Sequence, residues 1–103
     1  MDYLGKRYLY NFLKEQGFSI PVKMKNIEYK KHRGDEWFDV EIYSTFEIKK
    51  IEVFCVRSKG IYISILIYDD NSDKYHEIER YSFHRQGDEG WQKTYERKKG
   101  RLL

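Results

Sequence analysis

The chain predicts an α+β fold, with one N-terminal amphipathic helix packed on an antiparallel meander of five or six strands. Three observations lead there. Apolar residues in the first sixteen positions recur at helical spacing, whereas beyond Pro21 the β-branched and aromatic residues dominate and turn-formers punctuate them. The third is size: 103 residues, 40% hydrophobic and 17% aromatic, suit one domain (1–103) with a single ring-rich core.

The helix is predicted over residues 3–16, because Leu4, Tyr8, Leu9, Phe12 and Leu13 fall on one half of a 100° wheel. Asp2 suits the N-cap, and Gly17 the left-handed stop, with Phe18 folding back on the last turn. Tyr3, Tyr10, Asn11, Lys6, Arg7 and Lys14 are left for the outward half. Strands are expected over 22–32 and 37–48 around a turn at 33–36, then over 51–57 and 61–68 around Ser58-Lys59-Gly60. The alternation Phe38, Val40, Ile42 does not run in phase into Ile51, Val53, Cys55, so Lys49-Lys50 is read as a bend or bulge within one long strand. A turn over 69–74, a strand over 75–85, a loop over 86–90 and an edge strand over 91–97 complete the meander, with 98–103 a frayed basic tail. Ile61, Ile63, Ile65 and Ile67 line one face of their strand, where the helix belongs, and Tyr62, Ser64, Leu66 and Tyr68 line the other.

Composition narrows the function classes. A net charge of +3 is sorted along the chain, with basic stretches at 23–33 and 91–103 flanking an acidic middle. The single cysteine, Cys55, sits in an apolar run and can form no internal disulfide, and charged residues break up the N-terminal apolar positions before a signal sequence could form. Together with the lack of a long apolar span these point to a cytoplasmic protein that avoids membranes. Lys98-Lys99-Gly100-Arg101 fits a loose nuclear-import pattern that recurs often by chance. No phosphate-binding glycine loop and no nucleophile motif is present, and no cofactor or metal is expected. Asp69, Asn71 and Asp73 have calcium-loop spacing, but Lys74 and Arg80 stand where a glycine and a glutamate belong, so a turn is expected. Arg33-Gly34-Asp35 reads as a hairpin turn.

Cations interleaved with rings suit single-stranded nucleic acid, because phosphates need neutralising and every base offers a face to stack on. The candidate contacts are Lys6, Arg7 and Lys14 on the helix and Lys23, Lys25, Tyr29, Lys30, Lys31 and Arg33 in the first basic stretch. Trp37, Tyr43, Tyr62 and Tyr68 join them from the sheet face away from the helix, and Trp91, Lys93, Tyr95, Arg97, Lys98, Lys99 and Arg101 from the second basic stretch. The expectation is a small non-catalytic binding module for nucleic acid or a nucleic-acid-handling complex, in the style of a phage or mobile-element accessory protein. An alternative is an inhibitor that offers an acidic and aromatic sheet face, with Glu41, Glu47, Glu52, Glu77 and Glu79, to the basic site of a nucleic-acid enzyme. Homodimerisation through the open face is a further expectation.

The order of helix first and meander second is similar to that of barnase-like ribonucleases and related toxins, which implies a metal-independent ribonuclease as a second alternative. His76, Glu77, Glu79, Arg80, His84 and Arg85 supply the acid, base and cation types that such chemistry uses. Simple alternation places His76, Arg80 and His84 on one face, opposite Glu77 and Glu79.

Overall fold

In the computed structural model, which describes residues 3–99, helix α1 (Lys6–Glu15) leads through a 3-10 turn (Met24–Asn26) into six strands. These are β1 (Glu28–His32), β2 (Asp35–Tyr43), β3 (Ile48–Val56), β4 (Gly60–Asp69), β5 (Lys74–Arg85) and β6 (Trp91–Lys98). Each pairs antiparallel with the next, so the spatial order of the sheet is the chain order.

The helix starts later than its apolar periodicity predicts, and its cap comes from the sheet. Gly5 occupies the cap position at φ 87°, and the N–H groups of Leu4 and Gly5 donate to the carboxylate of Glu36 on β2 at 2.8 and 2.6 Å. Glu36 is fully buried and also accepts from the Tyr29 hydroxyl, so one carboxylate ties the helix start to two strands. The cap expected from Asp2 lies outside the described residues. At the other end the predicted stop is observed: Gly17 takes φ 90°, its N–H donates to Lys14 O, and Phe18 N–H donates to Leu13 O. This double bond pattern is the Schellman motif.

Leu9, Phe12 and Leu13 are buried as the wheel predicts, but the two tyrosines exchange roles. Tyr8 is exposed, whereas Tyr10 is buried because the returning chain wraps it, its hydroxyl donating to the carbonyls of Pro21 and Val22. Against the helix the sheet presents Phe38, Val40, Ile51, Val53, Cys55, Ile61, Ile63, Ile65, Tyr81 and Phe83, all buried. Phe12 meets Phe83 edge-on at 5.0 Å and Phe18 meets Tyr81 at 5.1 Å, which locks the helix and its exit across the sheet. Each fully buried aliphatic or phenyl side chain in this layer contributes about 1.5–3 kcal/mol.

The strand boundaries depart from the sequence reading in three places. Residues 22–27 do not extend β1; the 3-10 turn lets Met24 and Ile27, three positions apart, both pack on the core. Residues 44–47 form a full turn, held by Ser44 N–H and Oγ–H donating to Glu47 O, so the phase change is a reversal of direction and not a bulge at Lys49-Lys50. Lys98 belongs to β6 and Lys99 N–H donates to Ile78 O, so the chain is paired through Lys99; residues 100–103 lie outside the described residues. Bulges do occur, at Ile78 between β4 and β5 and at Thr94 between β5 and β6.

Candidate functional site

With the helix on one face, the other face of the sheet is bare, and the strand register decides which side chains share it. Trp37, Phe54, Tyr62, Ser82 and Tyr95 are successive cross-strand partners from β2 to β6, so they form one row across the sheet. Trp37, Tyr62 and Tyr95 are 36%, 38% and 44% exposed, and Phe54 lies beside Trp37 with 5.1 Å between ring centroids. At about 4.8 Å per strand the row runs for roughly 19 Å.

Tyr62 is held in place. Its ring folds back over Gly60, where a Cβ would lie 2.9 Å from the hydroxyl, so only glycine leaves it room. Its hydroxyl sits 3.1 Å from His84 Nε2, and His84 Nδ1 sits 2.6 Å from Thr94 Oγ1, which donates to Ser82 O. Because Thr94 uses its hydrogen on Ser82, the consistent assignment has His84 Nδ1–H donating to Thr94 and Nε2 accepting from Tyr62. The bulge at Thr94 makes this contact by turning that residue toward β5.

The next row of the same face is charged and graded. Glu28, Asp39 and Glu52 are partners on β1, β2 and β3, followed by Ser64, Arg80 and Arg97 on β4, β5 and β6. Burial, and then the like charge of Glu52 opposite, raise the Asp39 carboxyl above its ordinary range. Lys50 offsets part of this, 3.6 Å from Glu52 and stacked over the Tyr75 ring. Arg80 pairs with Glu77 at 2.9 Å. No ion pair among the described residues holds Arg97.

The two basic stretches do not meet. Lys23 and Lys25 flank the 3-10 turn, Lys30 and Lys31 stand on β1, and Lys93, Arg97, Lys98 and Lys99 follow β6, the opposite edge of the sheet. Five strand spacings, about 24 Å, separate them, so a single groove lined by both is ruled out by topology. Lys6, Arg7 and Lys14 belong to the helix side, with Lys14 over the Tyr10 ring and Lys31 over Tyr3. Two candidate rings are consumed by the fold: Tyr29 by Glu36, and Trp91 by Phe12, the Tyr8 hydroxyl and the Arg85 guanidinium. Tyr43 and Tyr68 do share the open face, but at the far end from Trp37 and Tyr62, where their hydroxyls donate to Glu41 and Asp73. Arg101 lies outside the described residues.

The catalytic candidates on β5 are scattered. The Ile78 bulge shifts the phase, so His76 pairs with Ile67 on the helix side while Glu77, Arg80 and His84 face the open side. His76 Nε2 is instead bound to the neighbouring turn, 3.0 Å from Ser72 Oγ and 3.5 Å from Asp69 Oδ2. Ser72 and Asp69 both address the same ring nitrogen, which is not the relay of a nucleophile. Asp69 also accepts from Asn71 N–H, as an Asx turn does. Cys55 is buried, and burial pushes its thiol up to about 11.

Sequence reasoning missed Phe54 as a member of the ring row, His84 and Thr94 as the residues that hold Tyr62, and Arg80 as the neighbour of Arg97. Their shared property is register, to which alternation along one strand is blind. No protein-family model, curated protein or solved structure matches the chain.

Proposed function

We propose that this protein is a non-catalytic module that binds single-stranded nucleic acid on the open face of its sheet. The observation that carries this reading is the in-register row Trp37, Phe54, Tyr62, Tyr95, a set of outward rings crossing five strands with cations beside it. Flat rings on a rigid sheet accept any base by stacking, and a sheet of this kind takes about two or three bases. Arg97, next to Tyr95, and Lys30, the β1 partner of Trp37, lie within reach of the flanking phosphates.

Fluorescence anisotropy of labelled oligothymidylate and oligouridylate, titrated with the protein at low and moderate salt, tests the reading. Binding should quench Trp37 emission, and the quenching should vanish in Trp37→Phe. Stacking is worth about 1–3 kcal/mol per base, so Tyr62→Ala and Tyr95→Ala should each weaken binding between roughly fivefold and a hundredfold. A folded protein that ignores both oligonucleotides at low salt refutes it.

One observation favours a second reading. The contiguous carboxylates Glu28, Asp39 and Glu52 make half of one row of the same face acidic, as an inhibitor of a nucleic-acid enzyme would require. Under that reading the protein binds no oligonucleotide and instead displaces nucleic acid from a basic enzyme.

A further inference from the structure

In an antiparallel meander the odd-numbered turns all fall at one end of the sheet and the even-numbered turns at the other. Here two of the three odd-numbered turns are basic, whereas the third, between β5 and β6, carries Asp88 and Glu89. The turn between β1 and β2 carries Arg33, and the turn between β3 and β4 carries Arg57 and Lys59. The two turns touch: a Cβ at Gly34 would lie 3.1 Å from Arg57 Cγ, so the Arg57 side chain lies across the neighbouring turn. Lys59 O in turn accepts from Arg85 N–H at the end of β5 at 3.4 Å. Three exposed cations therefore lie along the β1–β4 part of this sheet end, and no ion pair among the described residues engages them. The opposite end presents Glu47, Asp70 and Asp73.

The rim also borders the ring row. Trp37, Phe54 and Tyr62 stand one open-face step inside Asp35, Val56 and Gly60, the residues that enter or leave these turns. Tyr62 leans toward it over Gly60.

The backbone at these cations is unusual. Arg33 and Arg57 adopt φ 49° and 46°, the left-handed region in which asparagine or glycine is the low-energy choice at a tight hairpin turn. An arginine in the first left-handed position of two adjacent turns is worse for stability than asparagine would be, and both are long cations whose guanidinium groups make no ion pair among the described residues. The gain lies outside the fold.

We infer that the rim of Arg33, Arg57 and Lys59 is the phosphate track of the bound strand, running parallel to the ring row so that the sugar-phosphate backbone follows the turns while the bases lie over Trp37, Phe54 and Tyr62. This rests on the nucleic-acid reading above and adds, to the flanking Arg97 and Lys30 named there, the cations that follow the strand between them. The track draws Arg57 and Lys59 from the acidic middle of the chain and Arg33 from the end of the first basic stretch, and it adds to the flanking Lys30 and Arg97 contacts. Phosphates suit it by geometry as well as by sign, because Arg57 and Arg33 each offer a planar fork of donors.

The test uses Arg33→Asn/Arg57→Asn, since asparagine accepts the left-handed turn and the double variant keeps its fold. Its Tm should rise by about 4–8 °C as the backbone strain is relieved. Its affinity for labelled oligothymidylate should fall at least tenfold at moderate salt, and the slope of log K against log[salt] should flatten by about 1.4, the value for two phosphate contacts to a single strand. Tyr62→Ala serves as the orthogonal control, expected to weaken binding with its salt slope unchanged. If the wild type binds and the asparagine variant binds with an unaltered slope, the rim is overturned while the ring platform stands. If the wild type binds no oligonucleotide at low salt, or captures only a protein, both readings are overturned.

Discussion

The two faces of the sheet carry rings in similar abundance and use them in opposite ways. On the helix side Phe12, Phe38, Tyr81 and Phe83 are buried, and the hydroxyls there are committed: Tyr29 donates to Glu36, Tyr10 to Pro21 and Val22, and Tyr81 to Glu79. Burial and the carboxylate partners push the phenols of Tyr29 and Tyr81 well above their ordinary range, so both are neutral donors at neutral pH. On the open side Trp37, Tyr62 and Tyr95 keep a third or more of their surface in water. Tyr62 is nonetheless held by glycine below and histidine beside it. The lesson is that a ring's identity does not assign its role. Rings on the helix face close the core, whereas rings on the open face are oriented without being covered, which is the condition for stacking on a ligand at low entropic cost.

The sharpest way to break this contrast is at Glu36. Glu36→Ala leaves two backbone donors and a half-buried phenol without an acceptor and should cost about 3–5 kcal/mol in urea unfolding. Glu36→Gln, which keeps an acceptor, should cost clearly less. A loss under 1 kcal/mol in the alanine variant would show that the helix start does not depend on this carboxylate. Across the sheet, Tyr62→Ala should do the reverse, changing stability by only about 1 kcal/mol while oligonucleotide affinity drops by the stacking amount given above.

Gly60→Ala sharpens the comparison further. The new methyl must push the Tyr62 ring off its seat, so affinity should fall severalfold with little change in Tm, and binding equal to wild type would mean that the ring needs no fixed orientation. Reactivity gives a direct view of burial: with its thiol raised to about 11, Cys55 should resist a thiol reagent at pH 8 until denaturant is added.

The smallest effect is electrostatic. A carboxyl whose folded pKa is raised, as for Asp39, disfavours the folded state once ionised, so its destabilisation is present above that raised value and relieved as the pH falls through it. Asp39→Asn should therefore raise Tm by a few degrees at most at pH 7, and the gain should vanish in acid below the ordinary carboxylate range. A Tm difference that persists in acid would point to a cause other than charge.

Much of the architecture was legible in the chain. Leu9, Phe12 and Leu13 announce a helical face, Gly17 a left-handed stop, and Ile61, Ile63 and Ile65 a buried strand face, because each signal is local and repeats with the period of its own element. The candidate site was legible only in part. Trp37, Tyr62 and Tyr95 were readable as sheet rings, but Tyr29 and Trp91 have the same local pattern and are consumed by Glu36 and Phe12. His76 was misplaced because a single extra residue, Ile78, inverts the facing of everything before it.

The sequence by itself determined that this protein is a helix followed by a meander, since hydrophobic period and turn chemistry act over a few residues. Only the tertiary structure decided which charges and rings are neighbours. Two basic stretches that look like a pair in the chain end on opposite edges, while Arg33 and Arg57, twenty-four positions apart, are brought together at one end of the sheet. Strand order and turn parity set those distances, and both follow from the pairing of whole strands, which no short segment of the chain encodes.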